Sequence, residues 1–372
     1  MNICLPPSRR AAALTPSILF AMLVAAGTSA QAQSFVTIYG RLNVAVESVG
    51  SSRSAVSRRM TRETNNRSVL GFRGEEDLGG GLRALFQIEG SLAPDTGVGE
   101  LANRDTRVGL SSPWGTVFIG VWGTPYLLST SGMDPYYPTT AGYMALMGNG
   151  SGATVTNTSN RSSFDRRQQN SLQVWTPEWR GWSLRLAVSP NEGDVGLAGS
   201  HPRLWSGALN YDDGAWTLGL AHEVHRDYQG PGLDDSGSKL GLAYRWGSWR
   251  LALALEHLRY ETAAGVLSRD SAYASATWQL GAGSVKLGLT QAGRGRGPAG
   301  ARVGFIAAGA GTGAHQWTLG YDYALSKRTT LYAYASRLEN QARAAYDLAI
   351  NPLGVAAGEQ PHVLSLGMRH YF

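Results

Sequence analysis

The chain has 372 residues, of which 16% are charged and 43% hydrophobic, with 48 glycines, 16 tyrosines, 11 tryptophans and a formal net charge of +6. So few charges, against roughly 25% in soluble chains, argue against an ordinary soluble domain, and the aromatics argue against disorder. Beyond residue 32 there is no run of about 18 apolar residues, so no transmembrane helix is indicated.

Residues 1–32 read as a secretory signal. Arg9 and Arg10 supply the basic start, 11–26 the apolar stretch, and Ala30-Gln31-Ala32 a small-residue cleavage site that leaves Gln33 first. The alternative, a membrane anchor, is disfavoured by Thr15-Pro16-Ser17 inside the apolar stretch. Cleavage leaves 340 of the 372 residues, removes the single cysteine, Cys4, and lowers the net charge to +4. An exported chain without cysteine has no disulfide framework and no thiolate chemistry.

From residue 35 onward a period of two recurs. Val36, Ile38, Leu42, Val44 and Val46 alternate with Thr37, Tyr39, Arg41, Asn43 and Glu47. Leu82, Ala84, Phe86 and Ile88 alternate with Arg83, Gln87 and Glu89, and Trp182, Leu184, Leu186 and Val188 with Ser183, Arg185 and Ser189. The pattern continues through Trp216/Leu218/Leu220, Leu240/Leu242/Tyr244, Leu251/Leu253/Leu255, Val285/Leu287/Leu289 and Trp317/Leu319/Tyr321 to Leu364/Leu366/Met368/His370/Phe372. Apolar side chains at every second position describe strands with one oily and one wet face, not amphipathic helices.

Connectors alternate as well. Short turns are predicted at 77–81, 112–115, 177–181, 212–214, 247–248, 281–283 and 326–328. Long loops are predicted at 48–66, 90–103, 123–165, 190–202, 226–237, 261–270, 293–313 and 338–361. Seven short and eight long connectors join sixteen strands, about 21 residues per strand plus connector, which suits strands of roughly ten residues. A soluble sandwich would need a second apolar core face, whereas the opposite faces here carry charges and glycine. Aromatics beside the short turns (Trp114, Trp179, Trp182, Trp216, Trp246, Trp249, Trp278) suit a girdle at a membrane interface. The expected fold class is therefore all-β, a sixteen-stranded antiparallel transmembrane β-barrel over 33–372.

At this point the sequence resembles the trimeric general porins of Gram-negative outer membranes. The resemblance rests on 34–41 (SFVTIYGR), 69–86 (VLGFRGEEDLGGGLRALF), 103–120 (NRDTRVGLSSPWGTVFIG), 170–182 (NSLQVWTPEWRGW) and 367–372 (GMRHYF). It implies a homotrimer in the outer membrane, with lipid and lipopolysaccharide around it. It also implies insertion by the barrel-assembly machinery with Phe372 as assembly signal, and a third long loop folded into the lumen. No cofactor or metal is implied, and no nucleic acid: the pI of about 9.5 comes from arginines scattered over strand faces.

The family's pore constriction sets basic residues on the wall against acids on the inward loop. Arg41 in YGR matches the first-strand basic position and Arg107 in NRDTRVGL the fourth-strand arginine. The second-strand position is Val69 here, with Arg67 two residues away on the same face; the sixth-strand position is Gln173, with Arg167 toward the loop. The inward loop, within 123–165, holds Asp134, Asp165 and Arg161, and Asp134 is the candidate for the acidic side. A plainer reading is that Asp134 starts a turn before Pro135. Further lumen-facing residues are Arg73, Arg83, Arg185, Lys239, Arg245, Arg250 and Lys286 against Glu47, Glu89, Asp105, Glu223, Glu256 and Asp322. This basic excess suggests an anion-preferring channel for small hydrophilic solutes and ions; a dedicated channel for phosphate or organic acids is the alternative.

An outer-membrane enzyme is a third possibility. The seven histidines show no metal spacing except His222 and His225, which lie on opposite faces of one strand, and no G-x-S-x-G, H-E-x-x-H or P-loop sequence occurs.

Overall fold

The computed structural model describes residues 35–53, 58–152, 162–190 and 199–372. The expected signal 1–32 and Arg161 lie outside them. Sixteen strands form the barrel. The first half comprises β1 (Phe35–Ser52), β2 (in two stretches, Arg58–Asn65 and Ser68–Gly79), β3 (Leu82–Ala93), β4 (Thr106–Ser112), β5 (Gly115–Gly123), β6 (Asp165–Trp175), β7 (Trp182–Ser189) and β8 (Arg203–Asp212). The second half comprises β9 (Trp216–Arg226), β10 (Asp234–Trp246), β11 (Trp249–Thr262), β12 (Gly265–Leu280), β13 (Gly283–Ala292), β14 (Ala314–Ala324), β15 (Thr329–Asn340) and β16 (Gln360–Tyr371). Each strand pairs antiparallel with its sequence neighbours, and β16 returns to β1 in a register running from Arg41↔Tyr371 to Ser52↔Gln360. The ring therefore has no open edge, as a sheet in lipid requires.

The alternation read from the sequence is reproduced with inside and outside assigned. The outward leucines Leu184, Leu209, Leu220, Leu240, Leu253, Leu289 and Leu366 are 38–59% exposed. The inward Asn43, Glu47, Lys239, Glu256, Thr290 and Gln316 are buried. Exposed apolar and buried polar residues together invert a soluble protein, and only a hydrocarbon surround makes that arrangement favourable. At the short-turn end, register brings the girdle aromatics face to face. Trp182 lies 4.8 Å from Tyr211, Trp216 4.2 Å from Tyr244, and Trp249 stacks on Trp278 at 5.2 Å.

Two connectors expected to be long are mostly paired strand. In 261–270, β11 and β12 continue their ladder to Thr262↔Gly265. In 48–66, β1 runs to Ser52 and β2 begins at Arg58. Polar residues at these places sit on paired strand whose inward face, with Val49, Leu267 and Arg269, is buried, so composition alone suggested loop.

The ring closes through a close approach. Gly40 and Phe372 exchange backbone hydrogen bonds of 3.1 and 3.2 Å, and the Phe372 ring lies where a Gly40 side chain would be, beside the Val69 carbonyl. Gly40→Val should therefore overpack the closure, by about 1–3 kcal/mol. The expected result is a lower temperature for conversion of the folded band on heat-modifiability gels, with Gly40→Ala in between; an unchanged temperature would contradict this packing.

Residues 124–152 and 162–164 turn into the lumen. Thr124 caps a short helix, α1 (Pro125–Ser131), its hydroxyl accepting from the Leu127 amide at 3.2 Å, with Pro125 in the first turn. The helix lies against β8–β10, where Gly219 leaves room for the Ser129 carbonyl. The loop is then bonded around the wall. The Tyr126 amide donates to Ser206 (3.1 Å), the Tyr136 hydroxyl to the Thr318 carbonyl (2.9 Å), Asn43 to the Pro138 carbonyl (3.2 Å) and the Thr140 amide to Asn66 (3.0 Å).

Candidate functional site

The loop covers one side of the lumen and leaves the other open. Inward residues of β8–β12 such as Ala208, Glu223, Lys239, Ala254 and Glu256 are buried beneath it. On the facing arc, β1 to β7, Arg41, Arg107 and Arg185 are half-buried and Arg73 and Arg83 exposed. Two cavities flank this arc. One of about 580 Å³, toward the long-loop end, reaches Arg67 and Arg104. Another of about 560 Å³, toward the short turns, is lined by Thr37, Arg73, Arg83, Gln87 and Arg107.

Backbone irregularity places the first pair of arginines. Between the two stretches of β2, Arg67 takes a left-handed conformation (φ 59°), which frees its carbonyl from the ladder. The Arg41 guanidinium donates to that carbonyl at 2.6 Å. Arg67 itself donates to the Tyr137 hydroxyl at 3.2 Å, its guanidinium 5.6 Å from the Tyr137 ring. Val69, directly opposite Arg41 in the register, is buried, so at this level of the arc the arginine beside Arg41 is Arg67.

Lower on the arc, Thr37, Arg73, Gln87 and Arg107 are successive cross-strand neighbours. Arg107 lies over an aromatic platform, 4.6 Å from the Phe118 centroid, 4.2 Å from Trp122 and 5.6 Å from Trp175. The three rings meet edge to face at 5.2–6.0 Å. Arg185 stacks on Trp175 at 4.5 Å and Arg73 on Tyr39 at 5.2 Å. Such contacts hold a guanidinium, at about 0.5–2 kcal/mol each, without cancelling its charge.

Four acids of the arc are held in ion pairs, while Asp77 accepts from the Gly79 amide and lines the lower cavity beside Arg73 and Arg83. Glu47 pairs with Arg62 at 3.0 Å, Glu89 with Arg104 at 2.8 Å, Asp105 with Arg167 at 2.8 Å and Glu75 with Arg83 at 3.4 Å. Glu89 also accepts from the Tyr39 hydroxyl at 3.1 Å. Across the lumen, Lys239 pairs with Asp165 (2.7 Å) and Lys286 with Asp322 (2.6 Å). Among the described residues Arg41, Arg73, Arg107 and Arg185 make no ion pair, and with Asp77 as the acid left in the lower cavity the open arc keeps an excess of positive charge.

Two expected constriction residues lie elsewhere. Asp134 is buried and does not face the open arc. Its carboxylate accepts from the Tyr136 and Tyr143 amides, both at 3.0 Å, and from the Tyr273 hydroxyl at 3.0 Å. Burial pushes this carboxyl up to about 6, the three donors opposing. It starts a turn, as the plainer reading had it. Gln173 is fully buried, donating to the Gly123 carbonyl at 3.3 Å and accepting from the Trp175 indole at 3.1 Å. It therefore steadies the ring beneath Arg107 and Arg185 and does not itself line the opening.

Sequence reasoning missed Arg104, Tyr137 and the aromatic platform. Arg104 precedes β4 in an irregular stretch where the period of two gives no face. Phe118, Trp122 and Trp175 sit on inward positions, where aromatics are not expected of a wet face; that misplacement was the available signal.

A Gram-negative porin family profile matches residues 19–343. The chain is similar to outer membrane porin protein 32 of Delftia acidovorans, with 29% identity over 369 residues that cover 96% of this chain and 99% of that one. An outer membrane porin of Bordetella pertussis is 26% identical, covering 86% and 93% respectively. Among solved structures, the anion-selective porin from Comamonas acidovorans matches with a TM-score of 0.75 at 26% identity, over 91% of this chain and 100% of that one. The trimer form of OmpT from Vibrio cholerae shares the fold, with a TM-score of 0.62 at 13% identity over 91% and 99%.

Proposed function

The chain belongs to the Gram-negative porin family of outer-membrane channels, and on that premise we propose that its pore prefers anions. The observation that carries this reading is the set of four arginines, Arg41, Arg73, Arg107 and Arg185, that face the opening and make no ion pair among the described residues. Fixed charges act over about 8 Å in physiological salt, a distance comparable with a narrowed pore. An anion crossing the arc thus meets positive potential at two levels, while a cation meets repulsion. The Comamonas relative bears the description anion-selective, which agrees in sign.

The same proposal includes assembly as a homotrimer after removal of residues 1–32, in contact with outer-membrane lipid and lipopolysaccharide. Insertion by the barrel-assembly machinery would use Phe372. A trimer form is described for the OmpT relative. Passage is passive diffusion of small hydrophilic solutes: a sixteen-stranded barrel encloses water, and the charges described hold no reacting constellation.

Planar-bilayer recording of the purified protein tests this. Conductance steps in groups of three are expected, with the reversal potential displaced toward that of chloride, whose limit is about 59 mV per tenfold gradient. Large steps with a cation-directed reversal would keep the porin and remove the anion preference.

A further inference from the structure

The inward loop presents no carboxylate to the arginine arc among its described residues, because Asp134 is enclosed by its own turn. What it presents is a phenol. The Tyr137 hydroxyl lies 3.2 Å from the Arg67 guanidinium, which is also over the Tyr137 ring. The charged groups around that hydroxyl come from every facing element: Arg41 from β1, Arg67 from β2, Glu89 from β3, Arg104 and Asp105 from the stretch before β4, and Arg167 from β6. On the loop itself the nearest acid in sequence is Asp134, whose carbonyl accepts from the Tyr137 amide at 3.2 Å.

We propose that Tyr137 is a specificity-determining residue of the pore: its neutral hydroxyl orients Arg67 without cancelling its charge, and its phenolate form neutralises that charge. This deepens the anion-preferring reading and rests on it. A loop carboxylate at this position would be ionised throughout the physiological range and would offset one arginine permanently. A phenol leaves the full positive field in place at neutral pH and removes one unit only when its proton leaves to solvent.

The electrostatics favour that ionisation. Burial raises the phenol, but Arg67, Arg167 and Arg104 together outweigh it and draw Tyr137 below its ordinary value; Asp105 opposes them weakly. Since the proton is lost from a neutral group, the charge of the constriction falls by one as pH rises through that value. Anion preference is therefore full on the acid side and declines on the alkaline side. Acidification below neutrality leaves Tyr137 unchanged.

The test is the ratio of anion to cation permeability, from reversal potentials in a salt gradient, between pH 7 and about pH 10, near the ordinary phenol pKa. The wild-type channel should lose anion preference severalfold across this interval. Tyr137→Phe keeps the ring and deletes the titrating group, so its ratio should stay flat and at least as high as wild type at pH 7. Tyr137→Glu should show the reduced ratio already at pH 7. Heat-modifiable migration establishes folding of each variant, and the Tyr137→Phe profile decides alone if the glutamate variant does not fold. A Tyr137→Phe channel that declines with pH as wild type does, or a wild type that does not decline, would overturn the assignment while leaving an anion-preferring porin. A wild-type pore that prefers cations at pH 7 would overturn the anion reading itself, and this proposal with it.

Discussion

Replacing Arg41 and Arg107 together by glutamate is expected to move the reversal potential in a tenfold salt gradient from the anion side to near zero. The substitutions change the charge of the open arc by four units at two levels, so that two new carboxylates balance the unpaired Arg73 and Arg185. Each new carboxylate also lands in an unfavourable place for compensation. At position 41 it meets the Arg67 carbonyl that now accepts from Arg41 at 2.6 Å. At position 107 it faces the rings of Phe118 and Trp122, whose negative faces attract cations and repel anions. Neither residue supports the loop or the ladder, so the variant should fold and conduct. A reversal potential that stays put in a folded, heat-modifiable channel would show that ions do not pass along this arc.

The second large effect concerns the loop rather than the wall. Glu256 is wholly buried and accepts from the Tyr126 hydroxyl at 2.9 Å and the Gly148 amide at 2.9 Å, tying both arms of the loop to β11. Lys239 and Arg269, equally buried, approach it at 3.5 and 3.4 Å. Glu256→Ala leaves Lys239 with Asp165 and Arg269 with the neutral Tyr346 hydroxyl, and removes the acceptor of both arms. Breaking a buried ion pair on one side costs about 3–5 kcal/mol. The barrel ladder is untouched, so the loss falls on the loop. Single-channel conductance should rise and selectivity fall as the loop leaves the wall, with Glu256→Gln, which keeps an acceptor oxygen, between the two. Conductance equal to wild type in Glu256→Ala would mean that the loop is held by its other contacts.

The barrel was legible in the sequence because period-two alternation is a local property of each strand, and because aromatics beside short turns mark a membrane boundary. Arg41 and Arg107 were reached through the resemblance, YGR and NRDTRVGL matching wall positions of the family, and each lies on an inward position of a regular strand. The loop was not legible. Which face a loop residue presents depends on the path of the whole loop and not on local pattern, and Asp134, attractive as a lone acid, is consumed by a turn with Tyr136 and Tyr143. Arg67 acts from a break in β2, and Arg104 from the irregular stretch before β4. At both places backbone geometry, not residue pattern, sets the direction of the side chain. The paired hairpin at 261–270 was misread because its alternation is one of burial and not of polarity: Leu267 and Arg269 both point inward and are fully buried.

The seam between β1 and β16 joins residues more than three hundred positions apart, Arg41 with Tyr371 and Ser52 with Gln360. Contacts of such sequence separation form late and slowly. Until β16 arrives, every assembled portion of the sheet is a curved ribbon with two bare margins, each able to pair with another chain. Shortening the chain by one strand accordingly yields no smaller channel. The time between delivery of the first strand and capture of the last is thus the interval in which this protein is exposed to misassembly.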